Sequence, residues 1–239
     1  MQILLTRPKA SSEATAIKLK HMGHQTTIEP MINIVSVAAQ TYNPYYSAIV
    51  FTSQNAVRVF NETNPNWLSS FTGKVFSVGS KTTQAIISAG CSNIIQGSGD
   101  VDGLAVVMID NLKGVDKEIL FPHGLHVEGD LEGLLVKAGI AVKSVVLYEA
   151  KATQQMRKTT INHLKGAEFN YVLFYSARTA TTFINMAKAS GMDSLPTTIA
   201  VALSAHIGEI LNNVAWAEVR VAEEKTEQAL FDCINNDMI

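Results

Sequence analysis

Six short apolar runs punctuate the chain: ILLT (3–6), AIVFT (48–52), VFSVG (75–79), EILFP (118–122), YVLFYS (171–176) and TIAVAL (198–203). Longer stretches with helical spacing of apolar and polar positions lie between them. Continuous runs of this length predict strands buried on both faces. Their alternation with helices predicts α/β units built on parallel sheets.

The units repeat in a shuffled order. Residues 3–26 and 119–142 align without a gap at an offset of 116, matching Ile3 with Ile119, Leu4 with Leu120, Leu19 with Leu135 and Gly23 with Gly139. Each reads as strand, turn, helix, glycine stop and second strand. Residues 48–87 and 171–210 align at an offset of 123, matching Phe51 with Phe174, Ser53 with Ser176, Phe60 with Phe183, Val78 with Val201 and Ile87 with Ile210. Written as A and B, the order is A, B, A, B. Two tandem A–B domains satisfy this with one crossing between domains. A nested arrangement satisfies it equally: the first A joins the last B, the middle B and A form an insert, and the chain crosses twice. The candidate crossings, EPMINIVSVAAQ (29–40) and VVLYEAKAT (145–153), are β-rich rather than Gly/Ser linkers and suit a short antiparallel ribbon. Either arrangement gives two α/β lobes facing a cleft. Ligands of open α/β sheets bind beyond the carboxyl ends of the strands, so the chemistry is expected in the strand-to-helix turns.

Composition narrows the partners. The 239 residues suit two domains of about 120 better than one large domain. With 47% hydrophobic residues, 17% charged residues and a net charge of -2, neither a disordered chain nor a nucleic-acid binder is indicated. Cys91 and Cys233 are too few for a disulfide framework or a four-cysteine zinc site, and read as buried free thiols in a reducing cytoplasm. The N-terminal MQILLTRPKA lacks the features of an export leader, and no window approaches 18 uninterrupted apolar residues, so a soluble, non-exported protein is expected.

The turns are Thr6-Arg7-Pro8, Thr52-Ser53-Gln54-Asn55, Gly79-Ser80-Lys81-Thr82, His123-Gly124-Leu125-His126, Ser176-Ala177-Arg178-Thr179 and Ser204-Ala205-His206. Taken singly, their Ser, Thr and Asn residues are ordinary helix N-caps. Six converging turns would also present backbone N–H groups, positive helix ends and Arg7, Lys81, Arg178 and His123 to one cleft, a surface suited to a ligand with several carboxylates. The stretch VGSKTT resembles a phosphate loop but fails its spacing: five residues separate Gly73 from Gly79, and Ser80 intervenes before Lys81. His123 and His126 lack a nearby cysteine, which argues against a metal site. Neither G-x-S-x-G nor a strand-following G-x-G-x-x-G occurs. GSGDVDG (97–103) lacks the EF-hand ligand spacing and reads as a turn with Asp102 capping the next helix. Tyr148 lies in the second crossing, where it is either a core or edge-strand tyrosine or a side chain entering the cleft.

Six segments, in order along essentially the whole chain, resemble the uroporphyrinogen-III synthase family: ILLTRP, FTSQNAV, VGSKTTQAI, LVKAGIAVKSVVLYEA, FYSARTATTF and VAEEKTEQAL. The resemblance implies two flavodoxin-like lobes with parallel sheets, one inserted in the other and joined by a two-stranded β ladder, with a cleft between. The implied lobes are 1–35 with 152–239, and 40–146, with crossings at 36–39 and 147–151. The implied activity is cyclisation of linear hydroxymethylbilane, which carries eight carboxylates, to uroporphyrinogen III with loss of water and inversion of ring D. A catalytically silent homologue that binds a tetrapyrrole or other small polycarboxylate is the alternative.

Carried across by residue, the resemblance places on Tyr148 the tyrosine proposed to assist hydroxyl departure. It implies substrate contacts at Thr52, Ser53, Asn55, Gly79, Lys81, Thr82, His123, Gly124, Ser176, Ala177, Arg178 and Ser204, with Arg7 either binding substrate or orienting its loop. No metal or organic cofactor, nucleic acid or membrane is implied. A cytoplasmic monomer is expected, receiving substrate from the preceding pathway enzyme. Two departures stand out: His123-Gly124 replaces the frequent Arg-Gly, and Glu128 replaces a later arginine of that turn, both lowering positive charge. The last-lobe turn AVALSA also lacks the glycine of VGSKT.

Overall fold

The computed structural model describes residues 1–37, 42 and 45–235, so residues 38 and 39 of the expected crossing 36–39 lie outside the described residues. In chain order the first elements are β1 (Gln2–Leu5), α1 (Lys9–His21), β2 (Gln25–Ile28), β3 (Ile32–Ser36), β4 (Ala48–Phe51), α2 (Gln54–Thr63), α3 (Trp67–Ser70), β5 (Lys74–Val78), α4 (Gly79–Ser88) and β6 (Ile94–Gly97). They are followed by α5 (Val101–Leu112), β7 (Ile119–Gly124), α6 (Leu131–Lys137), β8 (Val142–Ala152), α7 (Lys158–Lys165), β9 (Tyr171–Phe174), α8 (Ala177–Ala189), β10 (Ser194–Ala202), α9 (Ala205–Leu211), β11 (Ala215–Val221) and α10 (Glu227–Asn235).

Two compact units result. One combines residues 1–33 with 151–239, and the other is the insert 34–150. The first holds a five-stranded sheet ordered β11-β10-β9-β1-β2, in which every pairing is parallel. Numbered within its own unit this is the flavodoxin-like order 2-1-3-4-5. The insert holds a six-stranded sheet ordered β3-β8-β7-β4-β5-β6. Starting the count at β7 gives the same order for β8, β7, β4, β5 and β6, with β3 added at the edge. The repeated A segments therefore become β1-α1-β2 and β7-α6-β8, and the B segments become β9-α8-β10-α9 and β4-α2 through β5-α4. Of the two arrangements the repeat allows, the fold uses the nested one. The glycine stops match as well: Gly23 at φ 83 and Gly139 at φ 82 take the left-handed conformation that ends α1 and α6 at little steric cost.

Both faces of each sheet are covered. In the first unit, Leu4, Val172, Phe174 and Ala200 pack on one side, while Ile3, Leu5, Leu173 and Val201 pack on the other. In the insert, Ile49, Phe51, Val75 and Leu120 face one core, and Ala48, Val50, Phe76 and Phe121 face the second. This period-2 division of unbroken apolar runs is what a parallel sheet between two helix layers requires. Fully buried side chains such as Phe51, Phe76, Tyr171 and Phe174 each contribute about 1.5–3 kcal/mol of transfer free energy.

The chain passes between units in β3 and β8, which are neighbours in the insert's sheet. Val37 N–H donates to Leu147 O at 2.7 Å and Thr153 N–H to Met31 O at 2.9 Å. One residue number rises as its partner falls, so the pairing is antiparallel, as the β-rich crossing segments suggested.

The GSGDVDG turn needs a correction. Asp100, not Asp102, caps α5, its carboxylate accepting Gly103 N–H at 2.8 Å. The helix starts one residue after Asp100, which leaves Asp102 inside its first turn, where a negative charge still complements the helix dipole. Of the cysteines, Cys91 is buried and Cys233 only half-buried, and both are free thiols. Among the described residues no helix is long and apolar enough to cross a membrane.

Candidate active site

In the insert's sheet the connections run one way from β7 and the other way from β4, so the crevice expected of an open α/β sheet lies between their carboxyl ends. A cavity of about 540 Å³ opens there. Thr52 and Ser53 after β4, Val78 at the end of β5, residues 99–102 after β6, Gly124 and residues 126–129 after β7, and Tyr148 of β8 line it.

Tyr148 reaches the cavity because β8 carries an extra residue. Along β7 and β8, Phe121 pairs with Ser144, Pro122 with Val145 and His123 with Val146; then the register slips and Gly124 pairs with Tyr148. Alternation places Val145 and Leu147 on one face of β8. The bulge lets Tyr148 join the same core cluster, where strict alternation would have turned it to the opposite face. Tyr148 is 8% exposed. Its phenol oxygen lies 3.0 Å from Ser53 Oγ. Ser53 is the N-cap of α2 and accepts Ala56 N–H at 3.1 Å, so the helix start fixes the serine that meets the phenol.

The wall beyond Tyr148 is acidic. Asp100, Asp102 and Glu128 bring carboxylates and His126 an imidazole, and no lysine or arginine is among the described lining residues. Sequence reading assigned none of these four to a ligand site. A signal was available: Ser98-Gly99-Asp100 and Glu128-Gly129-Asp130 are repeated strand-to-helix turns, each ending in an aspartate that caps its helix through Gly103 or Gly133 N–H.

The remaining candidates divide. His123, expected to face substrate, is not among the described residues lining the cavity. Its Nδ1 lies 2.7 Å from Gly124 O and its Nε2 2.9 Å from Ser144 Oγ. A carbonyl only accepts, so Nδ1 carries a hydrogen toward Gly124 O. Both ring nitrogens are thus engaged, and the imidazole among the described lining residues is that of His126. Asn55 is half-buried in the first turn of α2. Gly79 has φ 70 and opens α4. Lys81 is exposed, whereas Thr82 is 5% exposed. The neighbouring Thr83 hydroxyl is taken up by Ser77 Oγ at 2.8 Å and Gln96 Oε1 at 2.7 Å.

In the discontinuous unit the equivalent place lies after β1 and β9, and the residues there bond to one another. The Arg7 guanidinium stacks 4.3 Å from the Tyr175 ring centre and pairs with Glu227 at 3.4 Å. Glu227 also accepts from Thr15 at 2.8 Å, from Lys18 and from Tyr175 at 3.3 Å. Burial alone would raise the Glu227 carboxyl, but hydrogen bonds from Lys18 and Thr15 and the charges of Lys18 and Arg7 outweigh it and hold the group below its ordinary value. Burial, reinforced by the Glu227 charge, pushes the Tyr175 phenol well above the usual tyrosine range. Arg7 is thus engaged by Glu227, Thr15 and the Tyr175 ring within its own unit. Ser176 is exposed and caps α8, accepting Thr179 N–H at 3.2 Å; Ala177 and Arg178 open that helix. Ser204 precedes α9 without a side-chain capping bond. Among the described residues no group of three or more His, Cys, Asp or Glu side chains is arranged to hold a metal ion.

Fold and cavity define a two-unit α/β protein of flavodoxin-like topology, with a small-molecule crevice at the carboxyl ends of the insert's strands. Within that class, the chain belongs to the uroporphyrinogen-III synthase HemD family, whose model matches residues 13–232. The porphyrin biosynthesis protein HemD of Ruminiclostridium josui is 26% identical over 244 residues, covering 97% of this chain and 47% of that protein. The chain therefore spans about half the length of this curated relative. The crystal structure of uroporphyrinogen-III synthetase from Helicobacter pylori superposes with a TM-score of 0.64 at 16% identity, covering 98% of both chains, which establishes the shared fold.

Proposed function

We propose that this chain cyclises hydroxymethylbilane to uroporphyrinogen III, with loss of water and inversion of ring D, in tetrapyrrole biosynthesis. The observation that carries the reading is the Tyr148 phenol set into the switch-point cavity of a chain of this family. The C–O bond of the hydroxymethyl group breaks as the pyrrole nitrogen supplies electrons to form an azafulvene, and the hydroxyl, taking up the proton that the pyrrole N–H gives up, leaves as water. Tyr148 donates a hydrogen bond to that departing oxygen, where negative charge develops. The substituted carbon of ring D then attacks, and the spiro intermediate fragments and recloses. Because the free substrate closes unaided to the type I isomer, holding one conformation is the larger part of the task.

The substrate's eight carboxylates need donors other than the acidic cavity wall. Within the insert we assign these to Thr52, the backbone amides of the turn at Gly79 and exposed Lys81. The cavity itself suits a pyrrole ring with its N–H group. We read the protein as a cytoplasmic monomer working without a resident cofactor.

The test supplies freshly made hydroxymethylbilane and separates the isomers after oxidation. Type III product is expected. Type I alone would remove the synthase reading and leave a binding protein for a tetrapyrrole or other polycarboxylate. Tyr148→Phe is expected to lower kcat about 100-fold with KM little changed.

A further inference from the structure

We infer that Ser53 is a positioning residue that aims the Tyr148 hydroxyl hydrogen into the cavity by donating its own hydrogen to the phenol oxygen. The inference rests on the proposed synthase reading and concerns the direction of a hydrogen-bond chain.

A serine hydroxyl has one hydrogen to donate and two lone pairs. Ser53 Oγ already accepts Ala56 N–H at 3.1 Å, a bond imposed by the start of α2. Among the described residues, the side-chain partner within reach of its hydrogen is the Tyr148 oxygen at 3.0 Å. With that hydrogen given to Tyr148, the phenol accepts from Ser53 and turns its own O–H away from it. The opposite direction, Tyr148 donating to Ser53, would spend the hydrogen inside the protein and leave the cavity facing an acceptor.

Two neighbours limit where the phenol can go. Tyr148 is 8% exposed within the insert's core. The backbone of Gly124 also lies against it, where a Cβ would approach Tyr148 Cζ to 2.7 Å. The ring is thus held by packing while the hydroxyl is directed by Ser53. The chain from amide through serine to phenol also polarises each bond in turn, which strengthens the terminal O–H as a donor. Ser53 touches neither the leaving oxygen nor the substrate in this scheme. Sequence reading placed it among direct substrate contacts.

The experiment compares Ser53→Gly, Ser53→Ala and Ser53→Thr with the unmodified chain, each also carrying Tyr148→Phe, using fresh hydroxymethylbilane and isomer separation. Glycine is tolerated at an N-cap, so Ser53→Gly keeps the fold while removing the hydroxyl. In the Tyr148 background, Ser53→Gly and Ser53→Ala should lower kcat roughly 10–30-fold with KM within about twofold, while Ser53→Thr restores most of the rate. In the Tyr148→Phe background the same changes should alter kcat less than about twofold, because the hydroxyl they direct is gone. Equal losses in both backgrounds, or a loss confined to KM, would overturn the positioning role and return Ser53 to substrate binding or capping. If the unmodified chain yields only type I product, the synthase reading itself fails, an outcome distinct from a type III producer that ignores Ser53.

Discussion

Gly124 lies against the phenol of Tyr148 so closely that a Cβ added there would stand 2.7 Å from Cζ and 2.9 Å from the hydroxyl oxygen. No flexible side-chain end is available to yield, because the obstacle is the ring itself. Gly124→Ala should therefore push the phenol off its bond with Ser53. Overpacking of this kind costs about 1–3 kcal/mol of stability. We expect kcat to fall at least tenfold while the folded fraction at 25 °C stays near complete. An alanine variant with unchanged kcat would show that the phenol's position is unimportant.

His123 offers the opposite expectation. Its two ring nitrogens bridge Gly124 O and Ser144 Oγ within the sheet. His123→Leu removes both bonds and leaves polar groups unpaired, which costs about 1–3 kcal/mol and should appear as a lower Tm. Because His123 is not among the described lining residues, KM and its dependence on salt should stay within about twofold of the unmodified chain. A marked rise in KM would restore His123 as a carboxylate contact.

The two residues show how far the sequence could be read. The sheet was legible, since apolar runs and matched glycine stops are local signals, and the offsets of 116 and 123 pair the strands that the fold makes equivalent. Nested or tandem order was not, because it depends on which strands meet: β1 pairs with β9, placing Ile3 opposite Tyr171. Tyr148, Thr52, Ser53 and Gly124 were named from turns and resemblance, and all four line one cavity. What turns Tyr148 inward is a bulge, a register event that no residue type at 146–148 announces. Arg7 and His123 looked like free cations because their partners, Glu227 and Ser144, lie 220 and 21 residues away.

Glu227 makes the stability of the discontinuous unit dependent on pH. Its carboxyl is held below the ordinary value of 4.5, so the ionised form is stabilised on folding. Its contribution is fully present above about pH 4.5 and is lost as pH falls through the lower folded value. Glu227→Gln should reduce Tm at pH 7, where Lys18 and Arg7 lose their counter-charge, and the gap from the unmodified chain should close towards pH 3. Tyr175, whose pKa is raised, acts on the other side: its contribution is present below the ordinary tyrosine value of 10.0 and lost as pH rises through the higher folded value. Calorimetric scans between pH 3 and 7 check the first effect; a gap that stays constant would show that Glu227 acts only through packing.

Glu128 stands exposed on the cavity wall with Asp100 and Asp102, at the place where the family resemblance implies an arginine. If the proposed synthase reading holds, a carboxylate there repels the eight-carboxylate substrate, whereas an arginine would pair with one of its carboxylates. An exposed charge contributes on the order of 1 kcal/mol, so Glu128→Arg should lower KM roughly fivefold at low ionic strength. Screening shortens the reach of the charge to about 8 Å at physiological salt, so the gain should shrink as salt is added. The rate at saturating substrate should hardly move, because Glu128 lies apart from the Ser53–Tyr148 pair in the proposed chemistry. Steady-state KM at two salt concentrations decides the matter: a KM that rises on introducing arginine would mean that the acidic wall attracts the substrate, through its pyrrole N–H groups or the cationic character of the azafulvene.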